Sequence, residues 1–307
     1  MRALNSGLAS RSGTRERKAV LFLQLITNGI IAGSVYALLG LGFGIIYATT
    51  RTFHFAHGAV FSIAGYFGFQ LVFWKLPFVL SVTLSILLAI LLGIAIEWSI
   101  YRPMRNIGAS AMEILISSLG LFILLQNLII IVWRSDPRVL PVAEIIRRGV
   151  SFGGIWLTLL QIIMIFSSFI LWLGLILFMR HTKTGKAIRA LENDPEMTEI
   201  VGIEPERIRL AVYGLGSGLA AISAIFMTMD MGIDPNQGIM ALLIGVIAVI
   251  VGGTGNYTGT ALAGLLLGIA ENVGIWKIPS EWKSSIAFGV LVVFIIFRPT
   301  GILGTRE

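Results

Sequence analysis

Long apolar stretches alternate with short polar segments along nearly the whole chain. An α-helix rises about 1.5 Å per residue, so roughly 20 apolar residues cross a hydrocarbon core of about 30 Å. The stretches are continuously apolar, whereas the strands of an outer-membrane barrel alternate apolar and polar positions. The pattern therefore predicts membrane-spanning α-helices. The apolar segments are residues 19–48, 53–74, 78–101, 111–133, 155–179, 210–231, 235–253, 257–275 and 283–297.

The first two segments differ from the others. Residues 19–48 suit either one tilted helix or a helix followed by a short broken piece at Gly40, Gly42 and Gly44. Residues 53–74 carry His54 and His57 near their start, which is typical of a re-entrant segment as much as of a spanning helix. Irregular backbone at membrane depth is tolerated where it is buried in protein or lines a cavity. We therefore expect an all-α, polytopic protein of about eight transmembrane helices, up to ten, with one broken or re-entrant segment.

Composition supports a membrane protein. Of the 307 residues, 56% are apolar and 13% are charged, against about a quarter charged in a soluble domain. A soluble domain of this size has too little interior to bury so much apolar surface. The net charge of +7 fits the Lys and Arg excess of cytoplasmic loops better than nucleic-acid binding. The absence of cysteine excludes disulfides and thiolate metal sites.

Charge also predicts an orientation and a division of the chain. We assign residues 1–18 to a cytoplasmic tail, 19–300 to a transmembrane domain and 301–307 to a second cytoplasmic tail. The first apolar run is too long for a cleaved signal peptide, so we expect it to be retained. If residues 19–74 make an odd number of crossings, segment 180–209 is cytoplasmic, and 15 of the 23 Lys and Arg residues lie inside. Both termini are then cytoplasmic.

Glycine pairs predict close helix packing. The small-xxx-small pairs are Gly29/Gly33, Gly214/Gly218 and Gly264/Gly268. Such pairs let helix backbones approach within a membrane, where no hydrophobic force drives association.

The hydrophilic segment 180–209 contains signals for one short helix. Asp194 suits an N-cap, Pro195 the first helical position and Glu196 the positive end of the helix dipole. Gly202 suits a left-handed stop. The predicted helix, 195–201, has an apolar face of Met197, Ile200 and Val201. Because two turns are unstable alone in water, it packs either on its own bundle or in a groove of a partner protein.

Three sequence blocks, in order, carry a family resemblance. The first runs from Asn28-Gly29 through G-S-V-Y-A-L at 33–38 to F-H-F-A-H-G at 53–58. The second is K-T-G-K-A-I-R-A at 183–190 with Gly202-Ile203. The third is G-G-T-G at 252–255 with Gly259, Gly264, Gly268 and Glu271. Together they resemble the permease subunit of branched-chain amino acid ABC importers over residues 20 to 300. The chain departs from that family at His54, where asparagine is common, and in its first 18 residues.

The resemblance implies a function and partners. It implies a permease of the bacterial inner membrane, surrounded by lipid, which works by alternating access. Its partners would be a second permease subunit, identical or similar, two ATP-binding subunits and an extracytoplasmic solute-binding protein. ATP and magnesium would be held by the ATPase chains, so no cofactor is expected here. The solutes would be branched-chain or related amino acids, with urea and short amides left open by His54. The short helix would contact the ATPase through Asp194, Pro195, Glu196, Met197, Ile200, Val201 and Gly202.

Polar residues inside apolar segments are the candidates for a solute pathway. They are Asn28, His54, His57, Gln126 and Glu271, and each either lines a pathway or bonds a neighbouring helix. His54 and His57 lack a third ligand, so we predict no metal. Gly185-Lys186 lacks the upstream glycine of a phosphate loop, and no catalytic set is recognisable. We expect Glu97 to pair with Arg102 or Arg105. The rival functions are an ion-coupled secondary transporter and an intramembrane enzyme.

Overall fold

The computed structural model describes residues 2–140, 146, 148–298 and 301–303, with side chains from residue 17 onward except 152 and 280. A π-helical turn (Glu97–Tyr101) follows the helix Phe78–Ile96, and a 3-10 turn (Ser280–Trp282) precedes the helix Lys283–Phe297. The elements in chain order are α1 (Arg2–Thr50), α2 (Ala56–Phe73), α3 (Phe78–Ile96), α4 (Arg102–Asn106), α5 (Ala111–Trp133), β1 (Gly149–Phe152), β2 (Ile155–Thr158), α6 (Leu159–His181), α7 (Lys183–Asn193), α8 (Pro195–Ile200), α9 (Pro205–Asp230), α10 (Gln237–Gly252), α11 (Tyr257–Gly274) and α12 (Lys283–Phe297).

The helical bundle agrees with the predicted polytopic membrane protein. Among the described residues, six helices are long and apolar enough to cross a membrane: α1 from Arg17 onward, α2, α3 with its continuation to Asn106, α5, α6 and α9. Of the remaining apolar helices, α10 and α12 are shorter, with 16 and 15 residues, and α11 has 18 residues. The exception to the all-α prediction is the antiparallel hairpin of β1 and β2, in which Gly149 pairs with Thr158.

The two ends of the bundle are distinguished by the elements they carry. At the hairpin end, the Gln24 amide of α1 donates to the Trp156 carbonyl oxygen of β2 at 3.1 Å. At the opposite end, here the α8 end, the Thr49 hydroxyl of α1 donates to Glu192 of α7 at 3.4 Å. Ile302, near the end of the chain, also lies at the α8 end, where its N–H donates to Val251.

The start of α1 and the end of the chain therefore lie at opposite ends of the bundle. The sequence prediction, in contrast, placed both termini on the cytoplasmic side. Residues 19–74 make two antiparallel passes rather than an odd number. The described chain therefore passes nine times between the ends, within the predicted range of about eight to ten. Arg51, just after α1, donates to the Glu192 carbonyl oxygen at 3.3 Å, so it lies at the α8 end. Residues 2–18 continue α1 and do not form a separate tail.

Helix α1 is unbroken through Gly40, Gly42 and Gly44, so the alternative of a broken piece there is wrong. These glycines serve close packing instead. A Cβ on Gly42 would lie 2.6 Å from the Gly216 carbonyl oxygen of α9, and one on Gly40 would lie 2.9 Å from the Ala248 Cβ of α10. Atoms of neighbouring helices fill the space that side chains at these positions would need.

Helices α1 and α11 form the closest pair in the bundle. A Cβ on Gly29 would lie 2.6 Å from the Ile269 Cα, one on Gly33 2.7 Å from the Leu265 Cα, and one on Gly264 2.6 Å from the Ala37 nitrogen. Backbone thus touches backbone, as the glycine pairs predicted. The pair at Gly214 and Gly218 instead faces side-chain atoms of α3.

The backbone is irregular at residues 51–55, and α2 begins inside the bundle. The His57 ring, in the first turn of α2, lies 6.1 Å from the Phe43 ring. Phe43 is two turns before the end of α1, roughly 10 Å along its axis. Helix α10 also begins at depth, from the other side: a Cβ on Gly58 would lie 2.5 Å from the Gly238 carbonyl oxygen. The first turns of α2 and α10 therefore lie close together within the protein.

Candidate functional site

A cavity of about 180 Å³ lies in the hairpin half of the bundle, between α1, α6, α9 and α11. Its polar lining includes Asn28, Gln161, Asp230 and Asn272, and its apolar lining includes Ile31. Asn28 was a predicted pathway residue, and it also accepts a hydrogen bond from the Gln24 amide at 2.9 Å. The cavity joins residues far apart in sequence, which explains why the sequence pointed to Asn28 alone.

Tyr36 links this cavity to Glu271, another predicted pathway residue. The Tyr36 hydroxyl donates to Glu271 Oε2 at 2.8 Å. Glu271 is buried, with 1% of its surface exposed, so it acts on the cavity through Tyr36. Sequence analysis missed Tyr36, although it lies in the first of the three family blocks. The sequence signal that could have found it is a tyrosine one turn after Gly33 in an apolar helix.

A second cavity, of about 300 Å³, adjoins the first and shares Val35, Tyr36 and Met227 with it. Its lining includes Asn236, just before α10. Gln126, a predicted pathway residue on α5, donates from its amide to Asn236 Oδ1 at 3.1 Å and to the Pro235 carbonyl oxygen at 3.2 Å. Gln126 thus holds the chain segment that borders the cavity, and it is not in the described lining.

His54 and His57 form a separate cluster nearer the α8 end. Both are buried, with 1% and 0% exposed, and their rings lie 5.8 Å apart. His54 Nδ1 is 2.9 Å from the Tyr101 hydroxyl, and its ring lies 5.0 Å from that of Tyr213. Three or more His or acidic groups suited to a metal do not gather anywhere in the described part of the chain. The structure therefore does not place the five predicted pathway residues around one space.

Aromatic rings fill the bundle between the two cavities and the α8 end. The Phe43 ring lies 5.1 Å from Phe53 and 5.9 Å from Tyr47. Beyond this layer, buried Glu97 pairs with Arg105, as predicted, and Glu206 binds Arg105 at 3.3 Å. In this conformation the half of the bundle nearer the hairpin contains the two cavities. The half nearer α8 is closed by the packed rings of Phe43, Tyr47 and Phe53, here called the Phe43 layer.

The predicted short helix, α8, forms with the caps that its sequence indicated. Asp194 Oδ1 accepts from the Met197 N–H at 2.9 Å, and Pro195 occupies the first helical position. Gly202 has a φ of +84°, and its N–H donates to the Glu199 carbonyl oxygen at 2.9 Å. The helix ends at Ile200, one residue earlier than predicted.

The apolar face of α8 points away from its own bundle. Met197 is 54% exposed, Ile200 76% and Val201 64%, whereas Thr198 is 2% exposed. Of the two alternatives left open by the sequence, packing on the bundle's own ends is therefore wrong for these three side chains. Glu196 is also exposed.

Helix α7 was not predicted, and it holds α8 against the bundle. The Thr182 hydroxyl caps it by accepting from the Gly185 N–H at 2.9 Å. Ile188 and Leu191 are its buried apolar residues. At its end, Glu192 accepts from the Tyr257 hydroxyl of α11. Burial raises the pKa of Glu192 above its usual value, and the hydrogen bond from Tyr257 partly offsets that rise.

Comparison with known sequences identifies the family. The profile described as "Branched-chain amino acid transport system / permease component" matches residues 25–295. The chain belongs to this permease family. It is 33% identical to the high-affinity branched-chain amino acid transport system permease protein BraD of Pseudomonas aeruginosa, over 93% of this chain and 97% of that protein. It is 31% identical to the corresponding LivH of Escherichia coli strain K12, over 93% of this chain and 96% of LivH.

A solved structure shares the fold. The chain aligns with a chain of PsaBC from Streptococcus pneumoniae in complex with Fab, with a TM-score of 0.53 and 12% identity. The alignment covers 91% of this chain and 92% of that chain. Family membership and the apolar helices identify a multi-pass membrane permease, as the sequence blocks predicted.

Proposed function

We propose that this permease is the membrane subunit of an ATP-driven importer for branched-chain amino acids. The observation that carries the proposal is the exposed apolar face of α8, at one end of a chain of this family. An isolated two-turn helix gains little from exposing Met197, Ile200 and Val201 to water, so a partner protein is the natural cover. The solute class comes from BraD and LivH, whose names specify branched-chain amino acids.

The proposed partners would supply the ATP-binding sites and cover the exposed apolar face of α8. Two ATPase subunits hold ATP and magnesium, and each receives the α8 of one permease subunit in a groove. The second permease subunit is identical or similar, and a solute-binding protein delivers the amino acid at the hairpin end. The α8 end then faces the cytoplasm, and the hairpin end faces outward.

The transport mechanism is alternating access. In the conformation described above, the two cavities at Tyr36 lie on the outer side and the Phe43 layer closes the cytoplasmic side. ATP-driven closure of the ATPase pair displaces α8, and α7 transmits the displacement to the bundle. The Phe43 layer then opens as the outer cavities close. His54 and His57 lie within the part that must rearrange.

The test is the substitution Met197→Glu, which puts a charge into the proposed apolar contact. The matched control is Val150→Glu in β1, an apolar residue 55% exposed at the opposite end. Pull-down of the ATPase subunits and ATP-dependent leucine uptake into vesicles are measured for both variants. We expect Met197→Glu to lose ATPase association and uptake, with membrane expression unchanged, and Val150→Glu to keep ATPase association. Normal association and uptake for Met197→Glu would contradict the proposal. Uptake of urea in place of leucine would correct its solute.

A further inference from the structure

An apolar groove runs along the outer surface of the bundle between α11 and α12. It consists of two adjoining spaces of about 510 and 440 Å³, and Leu266 of α11 and Val293 of α12 line both of them. On α12 the lining positions Ser285, Gly289, Val293 and Phe297 follow one another at intervals of four residues. Residues four apart share one face of a helix. The groove therefore extends along the whole of α12.

The groove exists because α12 packs loosely on the bundle. Of its 15 residues, all of which the structure describes, only Ala287 is buried. No described atom lies within 4 Å of a Cβ on Gly289, in contrast to the glycines between α1 and α11. Empty space forfeits dispersion contacts on the side chains that border it, and apolar space does not hold water. An apolar occupant is therefore expected in the membrane.

The α8 end of the groove carries a positive charge. Arg298 follows α12 and lines the groove beside Phe297 and Ile302. It is exposed, and the ion pairs between described side chains do not include it. The described lining of the groove contains neither aspartate nor glutamate. Because a guanidinium group binds phosphate through two parallel hydrogen bonds, this end suits a phosphate group.

The length of the groove matches one leaflet of a bilayer. Arg298 and Gly289 are nine positions apart, which is about 14 Å along the helix. Half of a hydrocarbon core of about 30 Å is roughly 15 Å. The groove thus offers a site for phosphate at the headgroup level and an apolar channel one leaflet deep, which is the shape of a phospholipid.

A second copy of this chain fits the groove less well. In a twofold interface both partners present the same surface, so the α8 end of one groove meets the α8 end of the other. Neither copy then supplies a carboxylate for Arg298 from the described lining. A phospholipid supplies both the negative charge and the apolar chain.

We infer that this groove binds one anionic glycerophospholipid from the leaflet at the α8 end. The phosphate binds Arg298, and an acyl chain lies between α11 and α12 as far as Gly289. The groove shares no described lining residue with the two cavities. The inference therefore depends neither on the solute nor on the ATPase.

Lipid titration of the full chain, purified in detergent, tests the site. Native mass spectrometry counts the molecules of dioleoyl phosphatidylglycerol bound per chain. We expect one molecule, held more tightly than dioleoyl phosphatidylcholine. Arg298→Gln should weaken its binding about fivefold, because one cation at the headgroup level contributes roughly that factor. The control is Arg207→Gln, which removes an exposed cation at the same end that pairs with Glu204 at 2.6 Å, and it should leave binding unchanged.

A second pair of variants tests the acyl-chain channel. Gly289→Phe should fill the groove and weaken phosphatidylglycerol binding severalfold. Gly120→Phe is the matched control, because Gly120 on α5 also has no described atom within 4 Å of a Cβ and lies outside the groove. It should bind the lipid as the wild type does. The open space at both positions means that both variants should fold, which thermal unfolding checks.

Three outcomes would overturn the inference. The first is the absence of a tightly bound phosphatidylglycerol. The second is equal binding by the wild type and Arg298→Gln. The third is a disulfide-linked dimer of Gly289→Cys in membranes, which would put a second copy in the groove, since the chain has no other cysteine. None of them bears on ATPase association or leucine uptake, so this inference and the proposed function fail separately.

Discussion

The Tyr257 hydroxyl at the start of α11 donates a hydrogen bond to the Glu192 carboxylate at the end of α7. The Thr49 hydroxyl, at the end of α1, donates to the same oxygen at 3.4 Å. Glu192 therefore joins the segment carrying α8 to the two helices whose backbones pack most closely. Nearer the hairpin end, the same two helices are joined by the hydrogen bond between Tyr36 and Glu271. We therefore expect a displacement of α7 to be passed to α1 and α11 as a pair, and through them to the two cavities.

The first prediction concerns this link. Glu192→Ala removes the acceptor that Tyr257 and Thr49 share, so movement of α8 should no longer reach α1 and α11. We expect ATPase association to stay normal, while the amount of leucine transported per ATP hydrolysed falls severalfold in proteoliposomes. Glu192→Gln keeps an acceptor oxygen and should retain most of the coupling. A normal transport ratio for Glu192→Ala would show that the link is dispensable.

The second prediction concerns pH. Burial raises the pKa of Glu192 above its usual value of 4.5. For an acid with a raised folded-state pKa, the added stability is complete below the unfolded value and is lost as the pH rises through the folded value. Thermal stability of the wild type relative to Glu192→Gln should therefore increase as the pH falls from neutral toward 4.5. A difference between the two proteins that stays constant across this range would contradict the raised pKa.

The third prediction concerns the buried histidines. His54 is 1% exposed and lies on the α8 side of the two cavities, in the part that must open in the proposed alternating access. His54→Cys should resist a water-soluble thiol reagent in the resting complex and react during ATP turnover. Ser135→Cys, in an exposed loop at the hairpin end, should react in both states. Protection of His54→Cys in every state would mean that the histidine serves helix packing alone.

Much of the bundle follows from apolar length. The predicted segments 111–133 and 283–297 coincide with α5 and α12, because a lipid-facing helix needs a continuous apolar run. Helix α7 was missed because only its inner face is apolar, at Ile188 and Leu191, among charged residues. The hairpin was missed because its strands extend the apolar run of α6. The membrane side on which a helix end lies cannot be predicted from one segment, because it depends on the number of preceding passes.

The functional site is predictable only in part for a related reason. Glu271 stood out as an acid in an apolar segment, but its partner Tyr36 lies 235 positions away. Gln161 and Asp230 occupy helix ends, where polar residues are ordinary, so neither attracts notice. The short helix was predicted well because its caps and stop are local: Asp194, Pro195 and Gly202 lie within one segment.

The fourth prediction concerns the contact between α1 and α11. Gly33→Ala would place a Cβ 2.7 Å from the Leu265 Cα, and a backbone atom cannot move aside as a flexible side chain can. Overpacking of this kind costs about 1–3 kcal/mol. Gly174→Ala in α6 is the matched control, because nothing lies within 4 Å of a Cβ there. Alanine favours a helix over glycine by up to about 1 kcal/mol, so the control should be neutral or slightly stabilising. Thermal unfolding of the purified chain in detergent measures both variants. If the two unfold at the same temperature, α1 and α11 do not pack as closely as the backbone distances require, and the transmission from Glu192 to the outer cavities loses its rigid element.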